Sequence, residues 1–182
     1  MSTSTGNNAN TNTNASQPTR TRVLMVCMGN ICRSPTAEAV LRHRVTRAGL
    51  LERVEIDSAG THAWHTRNPP DERSIAHAAR RGYDLTGLRA RRIEPADFNR
   101  FDLLLAMDED NLAHLLETAP AEAHHRLRLL MTFAPQPGLH EVPDPYYGGP
   151  AGFERVLDLI ESACDGLVEH LRRINGVHLK FE

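Results

Sequence analysis

At 182 residues, 40% hydrophobic and 24% charged, the chain has the length and make-up of one folded domain with a tail. A formal net charge of −2 excludes a surface built to hold nucleic acid or another polyanion. No apolar run approaches the ~20 residues of a membrane span, and three cysteines without a secretion signal point to a reducing, cytoplasmic compartment.

Residues 1–20 are almost entirely Ser, Thr, Asn, Gly and Ala, too polar to offset the entropy of ordering them, and predict a disordered tail. A single domain over 21–176 follows, then a short extension, 177–182. The first strand is expected over 22–27, an apolar run rich in valine. A helix over 35–48 follows, with Ser34 as N-cap, Pro35 at the first helical position, Glu38 placed for a capping interaction and Gly49 as its end. A short strand over 54–58 leads into the loop AGTHAWHTRNPP, and a helix over 71–81 stops at Gly82.

The run FDLLLAM, 101–107, is the third strand and enters a helix over 108–118 with Asp108 as N-cap. The fourth strand is expected over 126–130. A long last helix, 152–175, turns Phe153, Val156, Leu157, Ile160, Ala163, Cys164, Leu167 and Leu171 to the core. Strands separated by helices predict an α/β, three-layer architecture: a four-stranded, parallel, twisted sheet with helices on both faces. Ligands bind such sheets where strand ends meet helix starts. His62, His65, His124 and His125 fall in polar stretches and are expected to be solvated.

The stretch between the first strand and helix carries chemistry. Cys27 and Arg33 are separated by Met28, Gly29, Asn30, Ile31 and Cys32. A loop of this length can aim several backbone N–H groups inwards, and the helix that follows adds its own free N–H groups and positive dipole end. Gly29 and Asn30 tolerate the positive φ that such a turn requires. Arg33 offers a planar fork to two oxygens of a dianion. The same field favours the thiolate of Cys27, giving a nucleophile beneath a bound anion. Neither the spacing of a zinc site nor that of a nucleotide-binding Walker loop is present, so no metal and no cofactor is implied. A buried cysteine and a surface arginine would satisfy the same spacing; the strand before and the helix after favour the anion site.

VCMGNICRSPTAEAV, together with DSAGTHAW (57–64), NPPD (68–71), FDLLLAMDEDNL (101–112) and DPYYGG (144–149), resembles the low-molecular-weight protein tyrosine phosphatases of bacterial type. The likeness spans about 22–173, making 21–176 a phosphatase domain. It implies metal-independent hydrolysis of phosphotyrosine through a cysteinyl-phosphate on Cys27. Arg33 and the amides of the loop, Met28 to Cys32, would bind the phosphoryl group. Asp144 would act as general acid and then base, although Asp-Pro alone is equally a turn. Ser34 would donate to the Cys27 sulfur, and Trp64, Tyr146 and Tyr147 would wall the cleft, although Trp64 could also be an exposed loop residue or a core plug. Cys32 is either the partner of a protective, redox-sensitive disulfide with Cys27 or a small residue packed under the loop. The implied partners are phosphotyrosine proteins, with a bacterial tyrosine kinase as one candidate. A monomer or weak dimer is expected, with no nucleic acid and no membrane.

One departure stands out. Where the family commonly carries a histidine before an Arg-Ala-Arg-like segment, this chain has Leu88 before Arg89, Ala90 and Arg91. The supporting network around Asn30, Ser34 and Ser58 is therefore expected to be incomplete or rebuilt. Two alternatives share the fold. A thioredoxin-coupled arsenate reductase needs further relay cysteines, and none lies between Cys32 and Cys164. A phosphoarginine phosphatase tends to carry threonine where Ile31 stands, and an apolar Ile31 favours a tyrosine-type substrate. A phosphopeptide binder without turnover would have no use for Asp144.

Overall fold

In the computed structural model, residues 19–177 are described. The tail expected over 1–20 therefore lies outside the described residues except for Thr19 and Arg20, and the extension 177–182 except for Val177. Strand β1 (Thr21–Cys27) sends Val23, Met25 and Cys27 into one apolar cluster and Leu24 and Val26 into another. Side chains alternate across a strand, so a run this apolar requires cover on both faces. Helices α1 (Arg33–Arg47) and α5 (Pro150–Ile174) supply it on one side, through Leu41, Val45, Leu157, Ile160 and Leu167. Helices α3 (Asp97–Arg100) and α4 (Glu109–Thr118) cover the other with Phe98 and Leu115. At roughly 1.5–3 kcal/mol per fully buried aliphatic side chain, the stripe on α5 is the main tether of the last helix.

Strands β2 (Val54–Gly60), β3 (Leu103–Ala106) and β4 (Leu127–Leu129) complete a parallel sheet in the order β2-β1-β3-β4. Val23 sits opposite Ile56 on one side and Leu103 on the other. The chain winds outward from β1 to β2, then crosses back to β3, so a crevice opens between the carboxyl ends of β1 and β3. Cys27 ends β1, and Asp108 follows β3 by two residues.

Each expected strand and helix is present, with ends shifted by a few residues. Gly49 (φ +69°) and Gly82 (φ +87°) terminate α1 and α2 (Glu72–Arg80) in the left-handed region, where a Cβ is disfavoured. The start of α1 differs from expectation. The helix begins at Arg33 with Cys32 at the N-cap and no side-chain cap. Ser34 is already in its first turn, and its hydroxyl is directed to Cys27 instead. Glu38 makes no capping bond; its carboxylate is drawn into the protein by Ser58 and Arg42. Short α3, with one turn of helix, has no sequence signal beyond the Asp97 side chain that accepts from the Glu94 N–H.

Candidate active site

Four loop carbonyls around Cys27 are tied outwards. The N–H groups of Thr61, His62 and Asp71 donate to the carbonyls of Cys27 (2.9 Å), Met28 (3.0 Å) and Ile31 (2.8 Å), and Thr36 Oγ1 donates to that of Cys32 (2.6 Å). In a trans peptide the N–H points opposite to the carbonyl, so the amides of Met28, Gly29, Cys32 and Arg33 turn the other way, to the inside of the loop. Among the described residues, no protein acceptor reaches the N–H of Met28, Gly29, Asn30, Ile31 or Cys32. Unpaired amides in a largely buried loop cost free energy that a bound anion relieves.

Asn30 alone in this loop takes a positive φ, +55°. Gly29 does not, contrary to expectation. A Cβ there would stand 3.0 Å from Cδ2 of His65. Gly60, at the end of β2, is crossed still more closely: a Cβ would meet the Met28 carbonyl oxygen at 2.7 Å.

Arg33 is 2% exposed. Its Nη1 donates to Asp108 and to the Val142 carbonyl (3.1 Å). Nε and Nη2, the edge suited to a two-oxygen grip, carry no hydrogen bond among the described residues; Asp144 Oδ2 stands 3.5 Å from Nη2. Burial works against the guanidinium charge, but Cys27, Asp108 and Asp144 outweigh it and hold the Arg33 pKa above its ordinary value. Asp108 does two jobs: Oδ2 braces Arg33 while Oδ1 caps α4 by accepting from the Asn111 N–H at 2.7 Å.

Cys27, Met28, Gly29, Ile31, Cys32 and Arg33 line a cleft of about 320 Å³. Trp64, His65, Asp144, Tyr146 and Tyr147 line it as well. Trp64 is 70% exposed and stacks on His62 at 4.4 Å, so it is no core plug. Tyr146 meets Tyr147 edge-on at 4.9 Å, with the Arg73 guanidinium 5.4 Å from its ring. A fixed base of positive charge and amides under an aromatic mouth suits a phosphoryl group on a ring.

The sequence description "Low molecular weight phosphotyrosine protein phosphatase" fits residues 22–176. The chain belongs to that family. It is 47% identical over 154 residues to the low molecular weight protein-tyrosine-phosphatase of Streptomyces coelicolor, covering 83% of this chain and 93% of that one. A crystal structure of a protein tyrosine phosphatase from Entamoeba histolytica, with Hepes in the active site, superposes with a TM-score of 0.82 at 39% identity, covering 84% of this chain and 97% of that one. YfkJ of Bacillus subtilis gives a TM-score of 0.82 at 35% identity, covering 87% and 98%. Like its relatives, the chain is a phosphatase.

All residues expected at the site of this phosphatase are brought together. Asn30 and Ser34 lie behind the cleft surface rather than on it, each buried. Asn30 Nδ2 donates to Ser34 Oγ (2.8 Å) and Ser58 Oγ (2.9 Å), and its Oδ1 accepts from the Arg91 N–H (2.9 Å). The network around Asn30, Ser34 and Ser58 is thus hydrogen-bonded throughout, without a polar side chain at position 88. The Arg91 backbone is fixed because its side chain is forked by Asp57 and held by Asp97, while Leu88 packs against the apolar core. Cys32 is buried with Ile31, Ala90 and Phe153, and burial pushes its thiol pKa up to about 12. Cys164 lies in the core, where burial raises its pKa.

His65, Asp108, Gly60 and Arg91 complete the site without having been singled out for it by sequence. His65 was expected to be solvated but sides the cleft. Asp108 was recognised only as a helix cap. The one signal available for it was position, immediately after the strand beside β1.

Proposed function

We propose that this phosphatase hydrolyses phosphotyrosine in proteins through a phosphocysteine on Cys27, with no metal. The observation that carries the reading is the run of unpaired amides from Met28 to Cys32 beside the Nε–Nη2 edge of Arg33, which makes no hydrogen bond among the described residues and has only Asp144 near it. Cys27 Sγ attacks phosphorus, and as the S–P bond forms the bond to the phenolic oxygen breaks. Asp144 gives its proton to the departing oxygen, a contribution of about 10²–10⁴-fold for a well-placed acid. Amides and guanidinium take the charge that spreads over the equatorial oxygens, each donor contributing about 10²–10³-fold. In the second step Asp144 accepts a proton from water. The water oxygen bonds to phosphorus, the P–S bond breaks, and inorganic phosphate and the thiolate are released. Ser34 Oγ, 3.0 Å from the sulfur, donates to it as it leaves.

Aromatic side chains lining the cleft support phosphotyrosine over the shorter phosphoserine, and apolar Ile31 among the lining residues favours a ring over a phosphoguanidinium. Cys32 is inferred to protect the nucleophile: a sulfenic acid formed on Cys27 by peroxide condenses with the Cys32 thiol, giving a disulfide and water. Three free thiols fit a cytoplasmic setting, and phosphotyrosine proteins, a bacterial tyrosine kinase among them, fit as substrates acted on by a monomer or weak dimer. Among the described residues no helix is long and apolar enough to cross a membrane. The test is turnover of phosphotyrosine, phosphoserine and phosphoarginine peptides in the presence of chelator by the native chain and by Cys27→Ser. Turnover confined to phosphotyrosine and abolished by Cys27→Ser is expected; equal turnover of phosphoarginine, or activity in Cys27→Ser, overturns the reading.

A further inference from the structure

The hydrogen bonds behind the phosphate loop do not end at Ser58. Both hydrogens of the Asn30 amide are committed, to Ser34 and to Ser58. Ser58 Oγ is therefore an acceptor there, and its own proton goes to Glu38 Oε2 at 2.6 Å. The other oxygen of Glu38 accepts from Arg42 Nη2 at 3.0 Å, and the same nitrogen donates to the Ile56 carbonyl at 2.9 Å. Donors on both oxygens, one of them a guanidinium, match Glu38 as a carboxylate. It is only 4% exposed, and burial raises its pKa above the ordinary value although Ser58 and Arg42 pull it down. The charged groups facing it are Arg42 from α1 and Asp57 from β2, the latter engaged by Arg91.

At the near end, Ser34 Oγ accepts from Asn30 and keeps its own proton for the Cys27 sulfur at 3.0 Å; the Ala59 carbonyl, 3.5 Å away, is the weaker acceptor. We propose that Glu38 and Arg42 are positioning residues for the phosphatase reaction. Ionised Glu38 sets the direction of every proton along the line from Ser58 to Cys27, and Arg42 keeps Glu38 ionised against its burial. The physical reason lies in the Asn30 amide. With the Ser58 proton held by Glu38, only the NH₂ side of Asn30 can face the two serines. Once that proton is released, a flipped Asn30 could offer its oxygen to both hydroxyls, drawing the Ser34 proton away from the sulfur. The Arg91 N–H resists the flip from one side and Glu38 from the other. Arg42 is about half exposed, so the line begins at the surface.

This inference rests on Cys27 being the nucleophile, which the Cys27→Ser assay tests separately. The variant to make is Arg42→Met, which keeps the aliphatic stem. Arg42→Lys should restore function, and Arg47→Met, later on the same helix and exposed, serves as control. The readouts are kcat and KM on p-nitrophenyl phosphate and the rate of Cys27 alkylation by iodoacetamide at pH 6, with thermal denaturation confirming the fold. Loss of one hydrogen-bonded link predicts about a five-fold fall in kcat and in alkylation rate for Arg42→Met, with KM changed less than about two-fold. Glu38→Gln should fall further, and the double variant should fall no further than Glu38→Gln alone. A folded Arg42→Met protein with unchanged kcat and alkylation rate overturns the proposal, as does an effect on KM alone or equal effects from Arg47→Met.

Discussion

Adding one methyl group at Gly60 tests whether the phosphate loop is held by backbone contact. An added Cβ would stand 2.7 Å from the Met28 carbonyl oxygen, 3.1 Å from the His62 carbonyl oxygen and 3.2 Å from the Asn30 nitrogen. Ordinary contact begins at 3.4 Å, so the Met28 carbonyl must retreat by about 0.7 Å. None of the three atoms belongs to a flexible side chain. The Met28 carbonyl is also the acceptor of the His62 N–H, so its retreat strains the bond that turns the Gly29 amide inwards. Overpacking of this kind costs about 1–3 kcal/mol, a fall of roughly 2–12 °C in melting temperature for a domain of this size. Displacing positioning groups by a large fraction of an ångström costs up to about 100-fold in rate. Gly60→Ala should therefore lower kcat/KM on p-nitrophenyl phosphate by about ten- to a hundred-fold and weaken competitive inhibition by inorganic phosphate. Gly87→Ala is the matched control, because nothing lies within 4 Å of its Cβ. If Gly60→Ala keeps kcat/KM and phosphate inhibition within two-fold of the native chain, the loop is not held as described.

Arg33→Lys keeps the charge but loses the fork and one of its braces to Asp108 and Val142, so kcat/KM should fall by at least about 100-fold, measured beside phosphate inhibition. Asp144→Asn should slow turnover by about 10²–10⁴-fold for poor leaving groups and much less for p-nitrophenol, seen as a steeper dependence of kcat on leaving-group basicity. Cys32→Ser should leave basal turnover nearly intact but turn peroxide inactivation from thiol-reversible to irreversible; because burial holds the Cys32 thiol near 12, disulfide closure in the native chain should be slow at neutral pH and faster at pH 9. Glu154 accepts from His77 and Arg81 across the α2–α5 contact, which lowers its pKa below the ordinary 4.5. A depressed carboxylate stabilises above its unfolded pKa and loses that stabilisation as pH falls through the folded value. The native chain should thus exceed Glu154→Gln in urea denaturation at pH 7, by no more than ~1 kcal/mol given its exposure, with the gap closing below pH 4.5.

Which parts of this site were legible depends on where each residue finds its partner. Cys27, Arg33 and the loop between them declare themselves because the strand, the turn and the helix that orient them are adjacent in the chain. The apolar run of β1 likewise carried its own evidence for cover on both faces, and Gly49 and Gly82 for the ends of their helices. Ser34 and Glu38 were identified as notable but placed by the local rules of helix capping, and those rules lost. Once α1 begins at Arg33, their side chains fall in its first two turns and face β2, where Ser58, Asn30 and the sulfur offer buried partners that water cannot match. Gly29 was misjudged in the same manner, since its φ is not positive.

Residues joined to the site only by topology gave no such sign. Asp108 reaches Arg33 because the chain crosses from β2 over β1 to β3, and Gly60 matters because β2 runs beside β1 to its last residue, Cys27 opposite Gly60. Leu88 shows the limit of comparing single positions. With no imidazole there, Asn30 is still held on both sides, by a backbone N–H whose residue is anchored by two aspartates and by a serine whose residue is anchored by a glutamate. What the loop requires is a fixed amide orientation at Asn30, and any pair of rigid, oppositely directed hydrogen bonds supplies it. It follows that the sensitivity of catalysis to Arg91 should run through its backbone position. Arg91→Lys, which can keep one bond to Asp57 or Asp97, should retain most activity, whereas removing both carboxylates should free the segment and loosen Asn30.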